Sequence, residues 1–264
     1  QCPAVKYTCH RRVVKKQIMA IRNCKGEEKR RVHYRKLIRN VQHTLAAVQA
    51  QIVAQQQSES WLKRAEHYAG LAVRIIDQAV RRVIKGEKVS ASEKLVSVFE
   101  PHTDIIVKDR RDTQYGHKLN ITTGMRGMVL DVVVEEGNPA DSSRLLPMIK
   151  RIEECYGKLP HQVAADAGYA SSDNISEAKA LGIKAVGLPK KRGMKIEEMT
   201  GSDWIYKKLK RFRAGIEGNI STLKRVFGLD RCTWRGLEHF KAYVMSAVLA
   251  YNFNVFARLS RQTL

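Results

Sequence analysis

V-A-A-D-A-G-Y-A-S (163–171) and, further on, R-A-G-I-E (213–217) are the stretches from which the rest of the chain is best read. The first is a short apolar run that reads as a buried strand and delivers Asp166 at its carboxyl end, with Ala-Gly following as turn chemistry. The second lies in a long helical pattern. Ile205, Leu209, Phe212, Ile216, Ile220, Leu223 and Phe227 recur every three or four residues, so the spacing predicts a helix over about 203–227 with that stripe buried. At about 100° per residue, Arg213, Glu217 and Lys224 fall within roughly 40° of one another at the margin of the stripe. Each carboxylate also has a plain reading. Asp-Ala-Gly is good turn chemistry after any strand, and Arg213 with Glu217 can be an ordinary i,i+4 pair.

Working outward, the strand Gln162–Ala165 is followed by a helix from about Asn174 to Leu181 and a short strand K-A-V-G-L (184–188). The basic loop P-K-K-R-G-M-K (189–195) then leads to the long helix, and an apolar C-terminal helix spans 242–258. Upstream, K-L-V-S-V-F-E (94–100) and D-I-I-V-K (104–108) alternate as strands around Pro101. Y-G-H-K-L-N-I-T-T (115–123) and M-V-L-D-V-V-V-E (128–135) form an expected antiparallel hairpin across Gly124 and Gly127. G-N-P-A-D (137–141) is a loop with Asp141 as expected N-cap of a helix carrying Leu145, Leu146, Ile149 and Ile152. Antiparallel strands, then β-α-β, then a terminal helix give an α/β domain with a mixed sheet and flanking helices.

Residues 5–90 have a different character: they read as helical and basic. Between Lys6 and Arg39 there are 13 Lys/Arg against Glu27 and Glu28, a net of +11 out of a total of +22. An amphipathic segment, Trp61–Ile84, closes this part, with Leu62, Ala65, Ala69, Ala72, Val73, Ile76 and Val80 at helical spacing. The expected division is therefore a basic all-helical segment at 1–90, which contacts DNA, and an α/β domain at 91–264. A charge excess of this size is the footprint of a nucleic-acid binder, since phosphate contacts release counterions. The five cysteines (Cys2, Cys9, Cys24, Cys155, Cys232) show no CxxC pair and fit reduced thiols in a cytoplasmic protein. No apolar run reaches the length of a membrane span.

Two carboxylates meeting at one site repel unless a cation lies between them. Mg²⁺ takes one or two carboxylates together with phosphate oxygens and water, and two such ions can support an in-line displacement at phosphorus. Arg213 and Lys224 are then placed to hold phosphate oxygens, and Lys190, Lys191 and Arg192 form a DNA-facing loop. Trp234, between Arg231 and Arg235, is placed either to stack on a base or to pack a loop between helices.

At these residues the chain resembles a known family. D-A-G-Y-A-S (166–171) and F-R-A-G-I-E-G-N-I-S-x-L-K-R-x-F-G-L-D-R-C-T-W-R-G (212–236) resemble bacterial insertion-sequence transposases of the DDE type, closest to the ISNCY group. F-E-P-H-T-D-I-I (99–106), Y-G-H-K (115–118) and G-N-P-A-D (137–141) fit the same pattern, so the resemblance covers roughly 60–264. It implies an RNase H-like fold in which Asp, Asp and Glu bind two Mg²⁺, with Mn²⁺ able to substitute. It also implies an arginine four before the last Glu and a lysine seven after it, which are Arg213 and Lys224. The tyrosine expected three before the arginine is Lys210.

On this resemblance Asp166 is the second acid and Glu217 the third. The first is expected either upstream of Gln1, leaving this chain N-terminally incomplete and inactive, or at Asp104. Asp131 sits mid-strand on a face that alternation does not assign. Cleavage and strand transfer on double-stranded DNA, assembly as a homodimer at element ends, and a nucleoid-associated location are what the resemblance implies. The rival expectations are a non-catalytic DNA-binding remnant and an RNase H-like nuclease that hydrolyses without joining.

Overall fold

No proline interrupts the chain between Pro3 and Pro101, and the structure uses that freedom for three long helices. The computed structural model describes residues 9–107 and 113–261; the start of the expected helical stretch (5–8) and Lys108, the end of one expected strand, lie outside them. The chain divides into two units, Gln1–Ile105 and Ile106–Leu264.

In the first unit, α1 (Arg11–Asn23), α2 (Glu27–Ala54) and α3 (Glu59–Ala79) pack in sequence as successive hairpins. Glu27 and Glu28 stand in the first turn of α2, where carboxylates offset the helix dipole, and both pair with Arg31 at 2.9 Å. Ser58 caps α3 by accepting from the Trp61 amide at 3.3 Å. The helix closes in a π-turn, Val80–Ile84, whose Arg81 binds Glu93 at 2.8 Å and Glu87 at 3.2 Å.

The expected strand at 94–100 does not form. Its backbone is satisfied instead by a side chain: the Leu95 amide donates to Gln78 Oε1 at 2.8 Å, and Gln78 Nε2 donates back to the Leu95 carbonyl at 3.5 Å. Leu95 is buried, but Phe99 is not, so alternation of apolar residues here reflects docking on α3 rather than pairing in a sheet.

β1 (Asp104–Ile106) leads to the second unit, followed by β2 (Gln114–Gly116). The hairpin is found as expected, with β3 (Leu119–Thr123) antiparallel to β4 (Val129–Val134) and a bulge between Thr122 and Thr123. β5 (Gln162–Ala164) and β6 (Ala185–Gly187) pair in parallel. Antiparallel and parallel pairings therefore both occur, as the α/β reading requires, but as separate two-stranded sheets. β6 is the fully buried strand, whereas β5 begins exposed at Gln162.

The helices are α4 (Leu145–Tyr156), α5 (Ser172–Ala180), α6 (Ile196–Thr200), α7 (Asp203–Arg225) and α8 (Leu237–Arg261). α6 is a short additional helix between the basic loop 189–195 and α7 that the sequence pattern does not predict. Asp141 does not cap α4: it opens a 3-10 turn, Asp141–Ser143, and its carboxylate goes to Lys118. One core gathers Leu145, Ile149, Ile175, Val186, Leu188 and Met199 around β5 and β6. A second gathers Val129, Val132, Leu223, Val244, Val248 and Tyr251 between the β3–β4 hairpin, α7 and α8. The projected stripe of α7 holds, with Leu209 and Leu223 buried. On α8, Met245, Leu249, Phe253 and Phe256 are all more than half exposed, and no charged residue stands between Lys241 and Arg258.

Candidate active site

A glycine sets the position of α7. A Cβ added at Gly187 of β6 would meet Leu209 Cβ at 2.6 Å, so only a residue without a side chain lets the helix approach this closely. One turn beyond Leu209, Arg213 Nη1 donates to Asp166 Oδ1 at 2.5 Å. Asp166 stands just past β5 at the head of a 3-10 turn, Ala167–Tyr169, and its carbonyl accepts from the Tyr169 amide at 3.0 Å. The Asp166 side chain is 62% exposed. A pair so open to water contributes at most about 1 kcal/mol, so its effect is to orient two groups rather than to hold the fold. It also leaves the carboxylate open to a ligand.

Glu217 lies one turn beyond Arg213 on α7 and is exposed. The i,i+4 pair of the plain reading does not form, because Arg213 turns to Asp166; Glu217 takes part in no ion pair among the described residues. Lys224 is exposed on the last turn of the same helix. Since β5 and β6 are parallel, the loop carrying Lys190, Lys191 and Arg192 leaves the sheet at the end where Asp166 sits. Lys191 Nζ donates to the Ala170 carbonyl at 2.7 Å, fastening this loop to the segment after Asp166. The Lys190 amide donates to the Tyr206 hydroxyl at 3.2 Å, and its side chain and that of Arg192 are exposed.

The turn bearing Asp166 is braced from behind by a polar network. Buried Asn120 of β3 accepts from the Tyr169 hydroxyl at 2.6 Å and donates to Glu135 Oε1 at 2.5 Å. Arg144 Nε donates to the same Glu135 oxygen at 2.7 Å. Lys118 Nζ donates to the Pro139 carbonyl at 2.7 Å and pairs with Asp141. A Cβ added at Gly168 would overlap the Asp141 carboxylate. Asn174 Nδ2 ties the two loops together, donating to the carbonyls of Ser142 at 2.8 Å and Tyr169 at 2.7 Å. Burial, and then the negative charges of Asp141, Asp166 and Glu135, push the Tyr169 phenol up to about 12.

The segments Y-G-H-K, G-N-P-A-D and D-A-G-Y are thus parts of one brace. Asn120, Glu135, Asp141, Arg144 and Tyr169 carry no site motif of their own in the sequence. The signal available was weak: Asn120 and Glu135 are polar residues in strand-like runs, and only their burial shows that they face inward.

The other acids separate clearly. Asp131 accepts from Arg151 Nε at 2.7 Å and Nη2 at 2.9 Å, with 9% of its side chain exposed, and is structural. Asp104 is half-buried on β1. Among the described residues, no three His, Cys, Asp or Glu side chains form a group that could hold a metal ion. Among them, too, no helix is long and apolar enough to cross a membrane.

A family model described as the transposase DDE domain matches residues 83–253, well over half of the chain. No curated protein and no solved structure matches it. The chain belongs to the transposase DDE-domain family.

Proposed function

From this membership, we propose that the chain serves DNA strand cleavage and strand transfer of an insertion sequence, with Asp166 and Glu217 as its metal-binding carboxylates. One observation carries the reading: Arg213 fixes Asp166 to the helix that also presents Glu217 and Lys224. The donors fit the metal, being hard carboxylate oxygens open to solvent and no more numerous than Mg²⁺ accepts beside water and phosphate. When bound, two Mg²⁺, for which Mn²⁺ can substitute, would supply charge stabilisation of an in-line displacement at phosphorus.

The protein's own groups do the rest. Arg213, planar and able to grip two oxygens at once, exchanges Asp166 for a phosphate of the bound strand. Lys224, Lys190 and Arg192 hold flanking phosphates as point charges or forks. Water cleaves the strand and leaves a 3′-hydroxyl; that oxygen then attacks a target phosphodiester and the target's own 3′-oxygen departs. No Ser or Tyr nucleophile is required. The basic segment 1–90 contacts DNA and 91–264 carries the catalytic part, and two copies act together at element ends within the nucleoid. The resemblance calls for a third carboxylate to complete the set.

The test is Asp166→Ala and Glu217→Ala, each scored for Mn²⁺ binding, DNA affinity and nicking. Loss of Mn²⁺ binding and nicking with DNA affinity kept supports the reading. Equal Mn²⁺ binding or equal nicking by parent and variants would sink it. The second reading, a DNA-binding remnant without catalysis, is favoured by the absence of a three-acid group among the described residues. It predicts DNA binding with no nicking in the parent. Joining of a pre-cleaved 3′ end separates a transposase from a nuclease.

A further inference from the structure

The loop after α7 holds an indole in a position that nothing in the catalytic reading uses. Leu229 N donates to the Leu223 carbonyl at 3.0 Å, tying the loop to the end of α7. The Tyr243 hydroxyl, on α8, reaches the carbonyls of Gly228 at 2.7 Å and Arg231 at 3.2 Å. His239 Nδ1 lies 2.8 Å from the Arg235 carbonyl. So both ends and the middle of the loop are fastened. On it, Trp234 is 49% exposed and packs against Tyr243 in a T-shaped arrangement, at a centroid distance of 5.6 Å and 71° between planes. Arg231 and Arg235 flank it, both exposed, and Lys224 and Arg225 stand on the adjoining turn of α7.

A large apolar ring left half in water is costly unless something covers it. An indole half open to solvent and packed on one side by a tyrosine, with an exposed arginine before and after it in the chain, offers aromatic surface and phosphate contacts together. That is the chemistry of an unpaired nucleobase in a DNA strand: its flat face stacks on the indole while the phosphates on either side meet the arginines. α7 ends eight residues past Glu217, about 12 Å along the helix at 1.5 Å per residue, which is a few nucleotides of backbone.

We propose that Trp234, flanked by Arg231 and Arg235, is a stacking platform for an unpaired DNA base close to the processed strand end. This rests on the DNA-processing reading above and assigns a contact within it.

The experiment uses the full chain with two duplexes, one blunt and one carrying a short single-stranded overhang with 2-aminopurine at its first unpaired position. The parent is expected to prefer the overhang and to quench the 2-aminopurine. Trp234→Ala is expected to lose the quenching and to weaken overhang binding about tenfold, with blunt-duplex affinity kept within about twofold. Trp234→Leu, which still fills the space against Tyr243, gives the same result should the alanine variant unfold; Trp234→Phe retains most of the preference. A folded Trp234→Leu protein that quenches and prefers the overhang as the parent does overturns the proposal. So does a parent that binds both duplexes equally without quenching, an outcome that leaves the DNA-processing reading standing. A parent that binds neither duplex overturns both.

Discussion

The two carboxylates of the site are held in contrasting ways. Asp166 stands on a turn whose own Tyr169 is tied to Asn120 of β3, and which is braced further by Glu135, Asp141 and Arg144 from the segment after β4. Glu217 stands on an open helix edge with only its own backbone to place it. One position depends on tertiary packing and the other on helix register. The lesson is that the same functional requirement, an exposed carboxylate at a fixed point, can be met by a buried polar network or by periodicity alone. The first is easily broken from a distance; the second is not.

The sharpest way to break this contrast is Glu135→Ala. Removing the carboxylate leaves Arg144 with its charge half-buried and unpaired, and a loss of about 3 kcal/mol is expected in urea unfolding. Glu217→Ala should stay within about 0.5 kcal/mol. If the two variants unfold alike, the contrast is wrong.

Gly168→Ala comes next. The added methyl displaces Asp141, and an overpacking cost of about 1–3 kcal/mol is expected, readable as a lower thermal midpoint.

Tyr169→Phe deletes one hydrogen bond to Asn120, about 1 kcal/mol at neutral pH. It also changes the pH dependence. The folded protein holds the phenolic proton more tightly than the unfolded chain, whose phenol titrates near 10.0. The stabilising contribution of Tyr169 is therefore complete below pH 10 and is lost as pH rises through about 12. Unfolding curves of the parent should weaken across that window more than those of Tyr169→Phe.

Among changes that break a pair, the smallest effect on stability falls on Arg213, the residue that ties Asp166 to the helix of Glu217. Arg213→Gln should cost no more than about 1 kcal/mol, because the pair is open to solvent. Its measurable consequence lies elsewhere: the salt dependence of DNA binding should fall by about one unit of slope.

The same contrast explains what could be read in the sequence. The edge of α7 was legible because Ile205, Leu209, Ile216 and Leu223 repeat at helical spacing, and a helix carries its side chains at known angles. β5, β6 and the β3–β4 hairpin were legible for the matching reason. The brace was not, since Asn120 meets Tyr169 across 49 residues of chain, and no local period reports such a pair. The strand expected at 94–100 failed because alternation says that one face is buried without saying what receives the backbone hydrogen bonds; Gln78 does so here. Asp141, read as a helix cap, goes to Lys118 instead, because a short polar side chain in a loop serves whichever partner packing brings near.

The apolar row on α8 has a consequence for how the protein behaves in a tube. A net charge of +22 keeps copies of the chain apart at low ionic strength, while Met245, Leu249, Phe253 and Phe256 draw them together. Salt weakens only one of these forces: the screening length shrinks from about 10 Å at 0.1 M to about 3 Å at 1 M, whereas apolar attraction persists. Concentrated salt, the usual means of stripping nucleic acid from a basic protein, should therefore make this one turbid.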